Sequence, residues 1–186
     1  MMTPFAGVST DLLKRLASIR LLALDVDGVL TDGRLYFSAN GDELKAFNIL
    51  DGLGLKQIRS IGVEVALITG RRSPLTARRA EDLGLKYLIQ GREDKLVALT
   101  ELLQTLNLDP EAVGYVGDDL PDLKAIVSVG AGMTVANGHW AVKEKARYCT
   151  EKAGGEGAVR EICDLILYAR GKLDEVLAPY QPEPIC

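Results

Sequence analysis

The sequence predicts a doubly wound, Rossmann-like α/β fold: a parallel sheet with helices on both faces and a β-hairpin inserted after the first strand. Three observations carry this. Five short apolar runs stop abruptly at Asp, Thr or Gly, as buried parallel strands do. Amphipathic stretches separate them, and strand–helix alternation is the pattern of a sheet covered on both sides. One segment, residues 33–49, breaks the alternation with two strand-like pieces across Ala39-Asn40-Gly41-Asp42, where Asn-Gly is a strong hairpin signal.

In chain order, residues 1–7 are expected to be loose. Ser9 or Thr10 caps a short helix through Ile19, with Leu12, Leu13, Leu16 and Ile19 on one stripe. "LLALDVDG" is the central strand. "VEVALITG", "LKYLIQG", "AVGYVGDD" and the weaker "AGMTVAN" follow as strands. Helices are expected at residues 53–60, 74–83, 94–106, 121–127 and 139–146. A strong amphipathic helix spans residues 158–169, preceded by glycines. Alternating Leu35, Phe37, Leu44 and Phe47 imply that the hairpin packs against something. Residues 8–170 therefore read as one domain. Residues 171–186 read as a Pro-rich tail, extended over 178–186, where three of nine residues are proline.

The 186 residues are 47% hydrophobic and 26% charged, with net charge −4, an ordinary globular mixture with no basic patch for a nucleic acid. No apolar run approaches the ~20 residues of a membrane span. The start lacks a basic segment before an apolar core, which argues against a secretory leader. Cys149, Cys163 and Cys186 have no disulfide or zinc spacing and favour a reducing cytoplasm. The single histidine, His139, makes a His-dependent triad a poor fit.

Chemistry gathers at the carboxyl ends of the strands, where such sheets bind ligands. Asp25 and Asp27 close the first strand, Thr69 closes the second, Lys95 follows the third, and Asp118, Asp119 and Asp122 follow the fourth. Converging carboxylates repel unless a hard cation joins them, and Mg²⁺ is the ion that meets phosphate at such sites. Asp25 is placed to ligate the ion and attack phosphorus, and Asp27 to serve as acid and then base. Thr69, the Gly70 amide and Lys95 suit a phosphoryl group. Asp118 is the further metal carboxylate. Asp119 and Asp122 orient it, hold water, or cap the next helix. Each motif alone is weak; the ordered set is not. A receiver-type signalling domain is disfavoured because its paired acids precede the phosphorylated Asp. No Gly-Lys-Ser/Thr phosphate loop exists.

"LDVDGVLTDG" (24–33), "ITGR" (68–71), Lys95 in "QGREDK" and "GDDLPDL" (117–123) together resemble the four motifs of the haloacid dehalogenase-like phosphatase superfamily. The resemblance implies Asp25 as nucleophile, Asp27 as acid/base, Mg²⁺ on Asp25, the Asp27 backbone carbonyl and Asp118, and the phosphoryl group on Thr69 and Lys95. "DGVLTDG", the hairpin in place of a cap domain, "FNILDGLG" (47–54) and "GGEGAVREICDLIL" (154–167) are similar to the capless branch acting on 3-deoxy-D-manno-octulosonate 8-phosphate, over about residues 15–170. That implies a homotetramer built on the hairpins, with a neighbour narrowing each site, in the cytoplasm of a lipopolysaccharide-making cell. Arg71, Arg79 and Arg160 are candidates for the substrate carboxylate, and the C-terminal tail for reaching an active site. The branch usually carries Asp-Ala-His-Pro where this chain has Asn137-Gly138-His139-Trp140; the departure spares the four motifs. A nine-carbon keto sugar acid phosphate, or a noncatalytic oligomerisation role, are the rival readings.

Overall fold

A computed structural model describes residue 5 and residues 7–181. Most of the 1–7 segment, residues 182–186 of the tail and Cys186 lie outside the described residues. Six parallel strands form the main sheet: β1 (Leu21–Leu24), β4 (Glu64–Thr69), β5 (Tyr87–Gln90), β6 (Val113–Val116), β7 (Ala131–Thr134) and β8 (Tyr148–Cys149). Their spatial order is β5-β4-β1-β6-β7-β8. Counted within this sheet that is 3-2-1-4-5-6, so the strand order reverses between β1 and β6. The crevice outside the carboxyl ends at such a reversal is where ligands bind.

Alternate side chains of the strands serve opposite faces. Leu22, Leu24, Val65, Leu67 and Val116 join one core with Leu16, Leu55, Ile58, Ile162 and Ile166. Leu21, Ala23, Ala66, Ile68, Val113 and Tyr115 join the other with Leu99, Leu102 and Ile126. Helices α1 (Thr10–Ser18), α2 (Ile49–Ser60), α3 (Pro74–Asp82) and α7 (Ala158–Ala169) cover the first face. Helices α4 (Lys95–Leu106), α5 (Leu123–Val127) and α6 (Trp140–Lys145) cover the second. Ser9 caps α1 as expected, its Oγ accepting from Leu12 N.

The five expected strands and the seven expected helices are present. Helix α2 begins four residues before 53, because Asn48 Oδ1 accepts from Leu50 N and caps it there. A sixth strand, β8, lies beyond the five that the sequence predicts: Tyr148-Cys149 is two residues long and, among the described residues, pairs with the end of β7 alone. Beyond α7 the chain is more ordered than a Pro-rich tail, and the stretch expected to be extended, 178–186, opens on a turn. Leu173–Leu177 forms helix α8, with Leu173 and Val176 packed on the core. Ala178–Tyr180 adds a 3₁₀ turn, tolerated because Pro179 sits in its first turn where no amide donor is needed.

The hairpin ladder is shorter than expected, β2 (Tyr36–Phe37) against β3 (Glu43–Leu44), with Gly41 at φ 85° in its turn. Most of its apolar residues are left uncovered among the described residues: Phe37 and Leu44 are 63% and 62% exposed, and Leu35 and Tyr36 are exposed too. Phe47 alone is half-buried, under the Arg79 guanidinium at 5.7 Å.

Candidate active site

Asp25 follows β1 directly and keeps the ladder going, its amide donating to Val116 O at 2.9 Å. Its side chain is thereby held at the reversal point, buried. The chain then winds tightly around the Val26 carbonyl, which accepts from the amides of Val29, Leu30 and Thr31. Gly28 makes this possible. Its φ is +92°, and an added Cβ would overlap the Asp118 carboxylate. The β8–α7 loop presses on the same turn from outside: Gly154 sits where a Cβ would collide with Gly28 O. Asn137 ties the two, accepting from Gly154 N at 2.7 Å and donating to Gly28 O at 3.4 Å. This bond pair needs both an amide donor and an acceptor, which gives the unusual Asn137 a structural account. His139 starts α6, its Nδ1 accepting from Ala141 N, and Trp140 is exposed.

Lys95 opens α4 and is buried, with Nζ 2.8 Å from Asp25 Oδ2 and 2.7 Å from Asp122 Oδ1. Asp122 also accepts from the Tyr115 hydroxyl at 2.8 Å and from Asp119 N at 3.3 Å. Asp119 completes a reciprocal cap, accepting from Leu120 N. One oxygen each of Asp25, Asp118 and Asp122 lie within 4.8 Å of one another. Burial and the charge of Asp122 make the two open acids hold their protons more tightly. Burial, then Asp122, push Asp25 up to about 7 against the pull of Lys95. Burial and Asp122 push Asp118 up to about 6. Burial works against the Lys95 charge, but Asp25 and Asp122 outweigh it and hold the ammonium above its ordinary range. The tyrosine is likewise raised, chiefly by burial, and stays a donor.

This donor set fits a hard divalent cation: all oxygen, mutually close, and short of positive charge with one lysine among three carboxylates. The Asp122 oxygens are taken up by Lys95, Tyr115 and the Asp119 amide, which leaves Asp25 and Asp118 as the open carboxylates. The Asp27 side chain is not part of this cluster. It faces the hairpin, where Lys45 Nζ donates to its Oδ1 and Arg71 Nε stands 4.0 Å from Oδ2.

A cleft of about 330 Å³ is lined by Asp25, Asp27, Thr69, Gly70, Arg71, Glu93, Lys95 and Pro121. Thr69 is buried at the end of β4, its Oγ1 accepting from Arg71 N at 3.3 Å. The structure brings Arg71 to the cleft mouth, bound to Glu43 at 3.1 Å. It does not bring Arg79 or Arg160 there. Arg79 donates to Asn48 O at 3.1 Å beneath α2. Arg160 pairs with Asp164 at 2.8 Å on α7. Their places follow from helix packing, which an isolated arginine in a sequence does not reveal. Lys45, Glu43 and Tyr115 are site residues that strand-end punctuation could not find: two lie on the hairpin and one is inside a strand.

The sequence and the fold are similar to those of known proteins. A model of haloacid dehalogenase-like hydrolases matches residues 88–162. The 3-deoxy-D-manno-octulosonate 8-phosphate phosphatase of Escherichia coli K12 is 49% identical over 93% of this chain and 92% of its own. The chain belongs to this phosphatase family. Solved structures of the family's fold superpose closely. A probable YrbI family phosphatase of Pseudomonas syringae has TM-score 0.92 and 52% identity, covering 95% of this chain and 100% of that one. The 3-deoxy-D-manno-octulosonate 8-phosphate phosphatase of Moraxella catarrhalis, solved with magnesium, phosphate and the sugar acid, has TM-score 0.90 and 44% identity, covering 93% and 100%. In this chain only the hairpin lies between β1 and α2.

Proposed function

We propose that this chain is a Mg²⁺-dependent phosphomonoesterase that hydrolyses 3-deoxy-D-manno-octulosonate 8-phosphate to the free sugar acid and phosphate, a step toward the lipopolysaccharide core. The observation that carries the reading is the meeting of Asp25, Lys95 and Asp118 at one rim of the sheet, in a chain 49% identical to an enzyme of that name.

The residues divide the work as follows. Asp25 and Asp118, with the Asp27 backbone carbonyl, hold Mg²⁺, which when bound neutralises part of the phosphate charge. The Thr69 hydroxyl, the Gly70 amide and the Lys95 ammonium hold phosphoryl oxygens and take up the charge that gathers on them. A carboxylate oxygen of Asp25 bonds to phosphorus as the ester P–O bond breaks. Asp27 gives its proton to the departing alkoxide. Asp27 then takes a proton from the water that attacks the phosphoryl-aspartate, phosphate leaves, and the Asp25 carboxylate is restored. Asp119 and Asp122 fix Lys95 and the turn that carries Asp118.

We place the enzyme in the cytoplasm, as a homotetramer joined through its hairpins. Support comes from the apolar Leu35, Phe37, Leu44 and Ile49, all exposed along the 33–49 segment, since exposed apolar patches mark contact surfaces. The unpaired Cys149 and Cys163 fit a reducing compartment. Arg71, at the cleft mouth, is the cation for the substrate carboxylate. The test is a comparison of kcat/KM on the eight-carbon 8-phosphate and a nine-carbon keto acid 9-phosphate, with the mass read by light scattering. The eight-carbon ester should be preferred by at least about tenfold, at four times the chain mass. Preference for the nine-carbon ester contradicts the substrate, and a fully active monomer contradicts the assembly.

A further inference from the structure

We infer that Lys45, on the hairpin, is the positioning residue for the acid/base Asp27; the inference rests on the phosphatase reading. Lys45 lies on a strand-like segment whose neighbours Leu44 and Ala46 are exposed, yet its own side chain is only 3% exposed. Lysines are seldom buried to that degree unless paired, because the ammonium loses its hydration. Here the pairing is specific. Nζ donates to Asp27 Oδ1 and stands 3.8 Å from Glu43 Oε1. Glu43 in turn lies 3.1 Å from Arg71, whose Nε is 4.0 Å from Asp27 Oδ2. The four groups alternate in sign around a ring that joins the hairpin to the turn after β1.

Two consequences follow for the reaction. With Oδ1 engaged by an ammonium, Oδ2, the oxygen on the Arg71 side, is the one left to serve the leaving group in the cleft. The carboxyl is also held in one rotamer, so Oδ2 need not search for the leaving oxygen. Lys45 itself does not line the cleft, so it acts through Asp27 and not on substrate.

A hairpin anchor with no part in proton delivery would not care about the leaving group, and that separates the two roles. The experiment measures kcat/KM of the Mg²⁺-loaded full chain for wild type, Lys45→Met and Lys45→Arg, on the sugar 8-phosphate and on 4-nitrophenyl phosphate. This constant covers the chemistry through P–O cleavage. A sugar alkoxide needs a proton as it leaves; nitrophenolate does not. Lys45→Met is expected to lose about 100-fold on the sugar phosphate and less than about fivefold on the nitrophenyl ester, with Lys45→Arg recovering most of the difference. Equal losses on both esters, or no loss on either, would overturn the inference. Wild type that hydrolyses neither ester would instead bring down the phosphatase reading, and this inference with it.

Discussion

Asp25→Asn is expected to be inactive and well folded. The asparagine keeps shape and volume, but its amide cannot bond to phosphorus, so turnover should fall by about 10⁴-fold or more. Stability should not fall with it. Burial and Asp122 hold Asp25 at about 7, which means that the protein resists the carboxylate charge at this position. A neutral isostere relieves that resistance, and Lys95 keeps Asp122 at 2.7 Å. The metal-free variant should therefore melt at or above wild type, while its gain in melting temperature on adding Mg²⁺ shrinks. Turnover near wild type would end the nucleophile assignment. Loss of activity through unfolding would mean that Asp25 serves the fold first.

Lys95→Met is expected to damage both chemistry and fold. Removing the ammonium leaves Asp25, Asp118 and Asp122 facing one another with no cation. Breaking a buried pair on one side costs roughly 3–5 kcal/mol, and the lost charge on the phosphoryl oxygens costs activity by about 10³-fold. The stability loss should depend on pH in a definite direction. Asp25 and Asp118 have folded-state values of about 7 and about 6 against 3.8 for the free side chain. Raised acids bind protons more tightly folded than unfolded, so the stability they contribute below about pH 4 is lost as pH rises toward 7. The lowered acids, Asp32, Asp94 and Glu101, titrate below their ordinary values of 3.8 to 4.5, outside that window. Metal-free wild type should thus melt lower at pH 7.5 than at pH 5, and Lys95→Met should show a steeper fall. Mg²⁺, which needs the ionised carboxylates, should restore more at pH 7.5. Thermal melts across this range with and without Mg²⁺ decide it. A pH-independent deficit would mean that Lys95 acts by packing alone.

Much of this site is legible in the sequence, for a local reason. A buried parallel strand must be apolar and must stop, so a polar residue at its end is both visible in the sequence and placed at the carboxyl rim. Asp25, Thr69 and Asp118 are of that kind, and Lys95 opens the helix after the next strand. What was not legible depends on packing between distant segments. Lys45 reads as one more polar residue on a hairpin, and only the fold of 33–48 back over the β1 turn buries it on Asp27. Tyr115 hides in a strand whose apolar character conceals that its hydroxyl reaches Asp122. Arg79 and Arg160 mislead in the opposite sense: their charge suggested substrate, but α2 and α7 packing commits them to Asn48 O and Asp164. Helix α8 is hard to read from the sequence because it is five residues long, with prolines following, and the apolar spacing of Leu173, Val176 and Leu177 covers barely one turn.

The most direct test of the shared site is a crystal structure of the full chain grown with Mg²⁺ and beryllofluoride, a mimic of a phosphoryl group on a carboxylate. The prediction is beryllium bonded to an Asp25 oxygen, its fluorides contacted by Thr69 and Lys95, and one Mg²⁺ between Asp25 and Asp118. Beryllofluoride on another residue, or a cation bound without Asp118, would contradict it.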